Sequence, residues 1–511
     1  MSKYFNEKYY EYIYQSKGIS NYLLDEEMIL IAGDFYGIQK FIFEGLSTKN
    51  AAKVLRAKSA YIQIFTKYIA KYICKKFSID YGQIISTNAG KFEIIAPKKY
   101  EDILESIQKD IDNFFIKNFF GLSGMSIVGV ECTKVSFENA NEYKKLRKQI
   151  ADKIELKKFQ KFSLLENDDY IMSYDEDIDN KNLCEICNIR KKEEKGEKEE
   201  NNCLTCNSFV KLGELLVKDK EKINSSELGF DFDDSDIAIK IDNKLKSYIK
   251  KENNNPADFE SLAKASCEGL DAGIKSLAVL KADVDSMGDF LKSSDVTDSF
   301  ENFDHFSNTM DNFFSMYIPK LMREKYGDTY TVFAGGDDLF LLGAWDQVLD
   351  LAKEIQHEFK NFAKSDKLSI SFGIAIAKPS YPISRLAEIT EELLEKSKEV
   401  DGKDSITLFG ETVKWDSYLQ DNGLKEQLKV FDDNTAMLYR LLELVNMSKK
   451  VNEDMKNTMW KSKINYTFYR NVNMKSEENQ KLLKNLNEMI ENKPKETKMY
   501  LSEIIYKRRI V

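Results

Sequence analysis

Residues 28–44, MILIAGDFYGIQKFIFE, open on an apolar run that ends at Asp34 and passes into helical spacing. That pattern predicts a strand, a turn and a helix. Residues 277–291, LAVLKADVDSMGDFL, repeat it without a gap, pairing Asp34 with Asp283, Tyr36 with Asp285 and Phe41 with Phe290. After the first run, Val54, Leu55, Tyr61, Ile62, Phe65, Tyr68, Ile69, Tyr72 and Ile73 mark an amphipathic helix over 51–73. A hairpin follows in GQIISTNAGKFEIIAP (82–97), turning near Gly90. Next come a helix carrying Ile103, Leu104, Ile107, Ile111 and Phe114, and a strand, SIVGVEC (126–132). The second copy has a helix around 301–323, then the hairpin TYTVFAGGDDLFLLG (329–343), turning at Gly336. A helix with Val348, Leu351, Ile355, Phe359 and Phe362 leads to the strand LSISFGIAIA (368–377).

The spacings agree. From aspartate to turn they are 90 − 34 = 56 and 336 − 283 = 53 residues. From turn to the glycine of the closing strand they are 129 − 90 = 39 and 373 − 336 = 37. The order βαββαβ describes a ferredoxin-like unit, an antiparallel sheet with helices on one face. Each copy adds a further helix and strand, over roughly 141–165 and 384–409. The fold class is α+β with a duplicated domain. The expected divisions are an N-terminal extension (1–27), a first domain (28–170), a cysteine-bearing module and connection (171–260), a second domain (261–416) and a helical C-terminal domain (417–511). Leu438, Leu441, Leu442, Leu444, Leu483, Leu486, Met489 and Ile490 give the last its apolar faces.

The two copies differ in chemistry. On a ferredoxin-like sheet the end of the first strand lies beside the hairpin turn, so Asp283 and Asp285 approach Asp337 and Asp338. Residues 283 and 285 share a strand face. Carboxylates gathered at one sheet edge repel unless cations neutralise them, and hard oxygen ligands suit Mg²⁺ or Mn²⁺. Two such ions can activate a hydroxyl and hold a triphosphate for in-line attack. Gly335 and Gly336 let the turn backbone approach phosphates. Copy one keeps Asp34 but has Tyr36 in place of Asp285 and Ala89-Gly90-Lys91 at the turn, so it is a degenerate copy.

Residues 184–206 read CEICNIRKKEEKGEKEENNCLTC, a C-x₂-C pair, fifteen residues that are nearly all charged or polar, and a second C-x₂-C. Cys184, Cys187, Cys203 and Cys206 are candidate ligands of a structural Zn²⁺. Cys74, Cys132 and Cys267 read as buried packing residues. The stretch 217–260 is polar and reads as a loose connection. The two histidines, His305 and His357, form no metal-binding pair. The net charge of -9 over 511 residues argues against a surface that grips nucleic acid everywhere, while allowing local basic patches. No run of about eighteen apolar residues predicts a membrane span, and the N-terminus lacks the apolar core of a signal peptide. The expected location is the cytoplasm.

The D-V-D strand with a GGDD hairpin resembles the palm domain of polymerases and nucleotide cyclases. Together GDFYGIQKFIF (33–43), AAKVLRAKSAYIQ (51–63), KADVDSMG (281–288), AGGDD (334–338) and DSITLFGETVKW (404–415) resemble the large subunit of type III CRISPR effector complexes, the Cas-ten family in its Csm (type III-A) branch. Tyr36 departs from the serine common in the family's first motif. The resemblance implies conversion of ATP to cyclic oligoadenylates when target RNA binds. Asp283, Asp337 and Asp338 would be the catalytic ligands of two Mg²⁺ or Mn²⁺ ions. Asp285, Ser286, Met287, Gly288, Lys398 and Lys403 would stand around the triphosphate. Asp34, Gly37 and the Gly90 turn would face a second ATP at the palm–palm interface. Implied partners are guide RNA and target RNA within a multi-subunit complex, a small subunit and a guide-end-capping subunit. Members often carry an N-terminal nuclease domain with a His-Asp metal site; the few residues before the first strand and the two histidines lead to the expectation of none here. Rival readings are a stand-alone cyclase or polymerase-like enzyme making another nucleotide signal, and a scaffold of an RNA–protein complex.

Overall fold

The first apolar run folds as β1 (Met28–Tyr36), buried along its whole length because it lies between two other strands. The computed structural model describes residues 3–509 except 25, 44–45, 47–50, 164–181, 196–197, 200, 219, 231, 233–235, 254, 270–271 and 432–433. After β1 come α1 (Ala51–Lys76), β2 (Ile84–Asn88), β3 (Lys91–Pro97), α2 (Ile103–Phe119), β4 (Gly124–Cys132) and α3 (Ala140–Phe159). The sheet order is β2-β3-β1-β4, and β1 is antiparallel to both neighbours. This is the ferredoxin-like arrangement. Of the strand predicted at KFSLL (161–165), residues 161–163 form a turn, and 164–165 lie outside the described residues.

The cysteine module follows. Its helix α4 (Leu204–Leu215) packs so tightly on α1 that a Cβ at Gly213 would stand 2.6 Å from the Lys53 carbonyl oxygen. Phe209 meets Phe41, Tyr61 and Phe119. The expected loose connection is instead folded. Lys222–Asn224 pairs with Ala238–Lys240, and Phe230 packs against Tyr61, Phe65 and Tyr68 at 5.0–5.4 Å. The apolar residues Phe230, Ile237, Ile239 and Ile241 pull this segment onto α1 and are all buried, which its overall polarity concealed.

The second copy comprises β5 (Leu277–Val284), α5 (Phe300–Asn312), β6 (Thr329–Gly335), β7 (Asp338–Ala344), α6 (Trp345–Phe362), β8 (Ile370–Ala377), α7 (Ile383–Lys398), β9 (Ser405–Leu408) and β10 (Glu411–Lys414). Its sheet order is β6-β7-β5-β8-β9-β10, the same four-strand core with two strands added beyond β8. The N-terminal residues are not a mere extension. Phe5 stacks on Phe362 at 4.6 Å, the Asn6 amide donates to the Phe362 carbonyl at 2.9 Å, and the Tyr9 hydroxyl donates to Glu358 at 2.8 Å. They complete the core of the second copy, although they precede the first in sequence.

The C-terminal region is helical, with α8 (Thr435–Lys449), α9 (Trp460–Asn471), α10 (Glu477–Asn492) and α11 (Pro494–Arg508). Two buried carboxylates tie it to the second sheet and its helices. Glu503 accepts from Lys353, Lys425 and Lys507 at 3.3, 2.7 and 3.1 Å. Glu411 is bracketed by Lys449 and by Lys498, the latter at 2.7 Å.

Candidate functional site

The register of the two sheets makes the copies comparable atom for atom. In the second, β5 sets Asp283 opposite Asp338 of β7 and opposite Ser371 of β8. In the first, β1 sets Asp34 opposite Lys91 of β3 and Ser126 of β4. The turns also match, since the Val284 amide donates to the Asp337 carbonyl and the Phe35 amide donates to the Gly90 carbonyl. Gly90 therefore stands in the place of Asp337, one residue along from the alignment with Gly336, and Lys91 stands in the place of Asp338.

Asp283, Asp337 and Asp338 converge, with one carboxylate oxygen from each lying within 4.8 Å of the others. Burial and then the charge of Asp338 push the Asp283 carboxyl up to about 7. Burial and then Asp283 raise Asp337, while Lys91 of the first copy pulls it down. Burial first raises Asp338 as well. Three half-buried carboxylates that cannot all ionise comfortably fit a hard divalent cation, which would remove their conflict. Lys398, from α7, is 2.7 Å from Asp283. Its counterpart is Lys158 of α3, 2.9 Å from Asp34. Each copy thus meets its first-strand aspartate with a lysine from its last helix. The spacings, 158 − 34 = 124 and 398 − 283 = 115 residues, are the sequence signal for Lys158.

Other expected site residues are placed differently. Asp285 lies beyond the end of β5 and is nearly fully buried. Its Oδ2 accepts from the Ser369 and Ser371 hydroxyls at 2.7 and 2.9 Å and from the Asp404 amide at 3.1 Å. The chain leaves the strand after Val284, so the two-residue alternation no longer holds and Asp285 is not in the triad. Lys403 sits on the 402–404 turn with φ 46°, where Lys414 bonds its carbonyl. Ser286, at φ 57°, starts the short helix Met287–Ser293, which also holds Gly288. Gly37, at φ 74°, packs where a Cβ would be 2.9 Å from the Leu122 carbonyl. Gly90, at φ 83°, rests on Phe35, Ile38 and Ile62. Both glycines serve their own turns.

Between the copies lies a cleft of about 580 Å³. Gly335, Gly336, Asp337, Asp338 and Met287 line it from one side, and Asp34, Ala89, Lys91 and Lys158 from the other. The hairpin tips meet there. A Cβ on Gly335 would stand 3.3 Å from that of Ala89, and Asn88 donates to Asn308 at 2.7 Å. Asp311 fixes the acidic turn by accepting from the Gly336 amide at 2.9 Å, and is itself paired with Lys244 at 2.6 Å. Neither Asp311 nor Lys91 stood out in the sequence, because their role arises from contact between copies.

The cysteines also converge. Cys184 and Cys187 sit on a knuckle closed by the Cys184 amide and the Arg190 carbonyl at 2.8 Å. Cys203 caps α4, and Cys206 lies in its first turn. All four are buried with their sulfurs within 4.8 Å of one another. Hydrogen bonds with Cys184 hold Cys187 below the ordinary thiol range and Cys206 above it. The Cys187–Cys203 sulfur separation of 4.0 Å is a ligand-to-ligand distance rather than a disulfide length of about 2.05 Å. The set fits a tetrahedral metal site.

Two palm-like sheets face each other across a cleft, one acidic at its turn and one not. The class is therefore a double-palm protein with, among the described residues, a single candidate carboxylate triad. Profiles described as "Csm1 subunit domain B" and "Cas10/Cmr2, second palm domain" match residues 27–176 and 276–407. A protein of Methanocaldococcus jannaschii is 27% identical over 83% of this chain and 64% of its own length. One from Streptococcus thermophilus is 26% identical over 85% and 63%. Both are named CRISPR system single-strand-specific deoxyribonuclease Cas10/Csm1, subtype III-A. A Csm1–Csm4 cassette in complex with one ATP shares the fold at TM-score 0.70 and 21% identity, covering 94% of this chain and 70% of that one. The chain is thus similar to the Cas10/Csm1 family along most of its length. It spans 55–64% of the length of the first curated relatives it matches.

Proposed function

We propose that this chain is the double-palm subunit of a type III-A CRISPR complex guided by RNA, and that it converts ATP to cyclic oligoadenylates when target RNA binds. The observation that carries the reading is the meeting of Asp283, Asp337 and Asp338 at the edge of a cleft shared by both palms. Solved relatives of the same fold are described in complex with ATP and with cA3, and its volume lies in the range of small-molecule sites. The three aspartates would hold two Mg²⁺ or Mn²⁺ ions, which supply hydroxyl activation and neutralise developing phosphate charge. Lys398 keeps Asp283 oriented and brings a cation to the phosphates. Lys91 sets positive charge on the first palm where the second has Asp338, so the first palm holds a nucleotide rather than a second metal pair. The bare backbone of Gly335 and Gly336 lets the acidic turn close against Ala89.

Guide RNA, target RNA, a small subunit and a guide-end-capping subunit are the expected partners; the solved relatives are described as cassettes with Csm4. No helix among the described residues is long and apolar enough to cross a membrane. Cys184, Cys187, Cys203 and Cys206 would hold a structural Zn²⁺ that locks the knuckle to α4. We propose no deoxyribonuclease activity for the described residues: His305 bonds the Tyr14 carbonyl and His357 bonds Asn361, and neither is among the residues that converge as candidate metal ligands.

The test is incubation of the assembled complex with ATP, Mg²⁺ and target RNA. Cyclic oligoadenylates are expected from the native chain and not from Asp337→Ala/Asp338→Ala. Equal product from both, or none from either, refutes the reading. Elemental analysis should find one zinc per chain; a folded, zinc-free protein refutes the cysteine assignment.

A further inference from the structure

The outward face of α9 is unusual for a solvated helix. Trp460, Ile464, Thr467 and Phe468 point inward. On the opposite side Tyr466 and Tyr469 are 64% and 71% exposed. Met455 and Met459, in the turn of 3₁₀ helix that leads into α9, are exposed too, at 82% and 53%. Within α9, positions 462, 466 and 469 follow the i, i+4, i+7 rule of a single helix face. Ser462 is exposed on it, and Asn473, just past the end of the helix, is exposed as well.

The charge on this segment opposes that of the chain. Residues 455–475 hold Lys456, Lys461, Lys463, Arg470 and Lys475 and no acidic residue, in a protein of net charge -9. Lys461 is paired with Glu491 at 2.6 Å. Lys463 and Arg470 flank the tyrosine line and form no ion pair with a described residue. Lys463 reaches only the Met447 sulfur at 3.8 Å, and Arg470 the Tyr466 hydroxyl at 3.3 Å. Exposed aromatic faces interleaved with unpaired cations are the elements of a stacking platform for single-stranded nucleic acid, the rings taking bases and the cations taking phosphates.

From this geometry we infer that the α9 face binds single-stranded RNA directly, at a site separate from the nucleotide cleft. Hydroxyl and amide groups of Ser462, Tyr466, Tyr469 and Asn473 can accept from or donate to a ribose 2′-hydroxyl, which selects RNA over DNA. The absence of carboxylates from 455–475 favours a polyanion over an apolar protein helix. The inference does not depend on the catalytic reading.

The test is fluorescence anisotropy of the purified full chain with a labelled single-stranded RNA of about twenty nucleotides, between about 50 and 200 mM salt. Tyr466→Ala/Tyr469→Ala should weaken binding about tenfold or more, since two stacked bases are lost. Lys463→Gln/Arg470→Gln should weaken it and flatten the logarithmic salt slope by about 1.4, the value for two phosphate contacts on a single strand. All four side chains are exposed, so circular dichroism should show both variants folded. Native-chain RNA binding that is absent, or unchanged in both variants, overturns the inference. Equal affinity for DNA of the same sequence overturns the choice of RNA. Variants that keep RNA affinity but lose a protein subunit of the complex show a protein interface instead and overturn it too.

Discussion

The acidic triad makes the metal-free protein sensitive to pH in a direction fixed by its geometry. Asp283 rises from an ordinary value of 3.8 to about 7, first by burial and then by Asp338. Its folded pKa is above its unfolded one, so the folded chain holds a proton that the unfolded chain gives up. The associated stability is complete below pH 3.8 and is lost as pH rises through 7. At about 1.36 kcal/mol per pH unit, the full rise bounds the effect at about 4 kcal/mol. Asp283 is about a fifth exposed and shares its proton with Asp338, so about 2 kcal/mol is the expected loss. That corresponds to a fall of roughly 4–8 °C in Tm for a unit of 150–250 residues. The assay is calorimetric unfolding in EDTA between pH 4.5 and 8, repeated with Mg²⁺. Mg²⁺ should restore the lost stability at pH 8 and do little at pH 4.5. Asp338→Asn should flatten the pH dependence without metal and abolish the response to Mg²⁺. A metal-free protein as stable at pH 8 as at pH 5, with no Mg²⁺ effect at pH 8, would refute the reasoning.

Two further outcomes follow from the same kind of accounting. Asp285→Ala leaves the Ser369 and Ser371 hydroxyls and the Asp404 amide without their acceptor; rotation of the hydroxyls limits the cost to about 3 kcal/mol. Asp283→Ala in metal-free buffer should be neutral or stabilising, and urea titration of the two variants gives the comparison. Glu503→Gln should cost about 3–5 kcal/mol, because three lysines lose their shared carboxylate. Burial alone would raise the Glu503 pKa, but Lys353, Lys425 and Lys507 outweigh it and hold it far below the ordinary range. Native stability from this group is therefore present above about pH 4.5 and lost as pH falls, a loss that thermal melts of Glu503→Gln should lack.

The amino-acid sequence by itself determined the duplication, both βαββαβ cores, the acidic turn and the four cysteines. Those are local or periodic features: alternation and helical spacing report burial of single elements, and paired motifs at matched intervals report the repeat. It also determined which copy carries the acidic turn, since Ala89-Gly90-Lys91-Phe92 holds no carboxylate. Only the tertiary structure decided what depends on residues distant in the chain. Asp285 read as a fourth ligand by strand alternation, but the backbone turns after Val284 and hands it to Ser369, Ser371 and Asp404. Lys91 and Asp311 matter only because the two hairpins meet, and residues 4–12 belong to the second palm because Phe5 and Tyr9 reach Phe362 and Glu358. Sequence spacing carries the period of each element, whereas register between sheets and contact between copies are settled by packing over hundreds of residues, which no local pattern encodes.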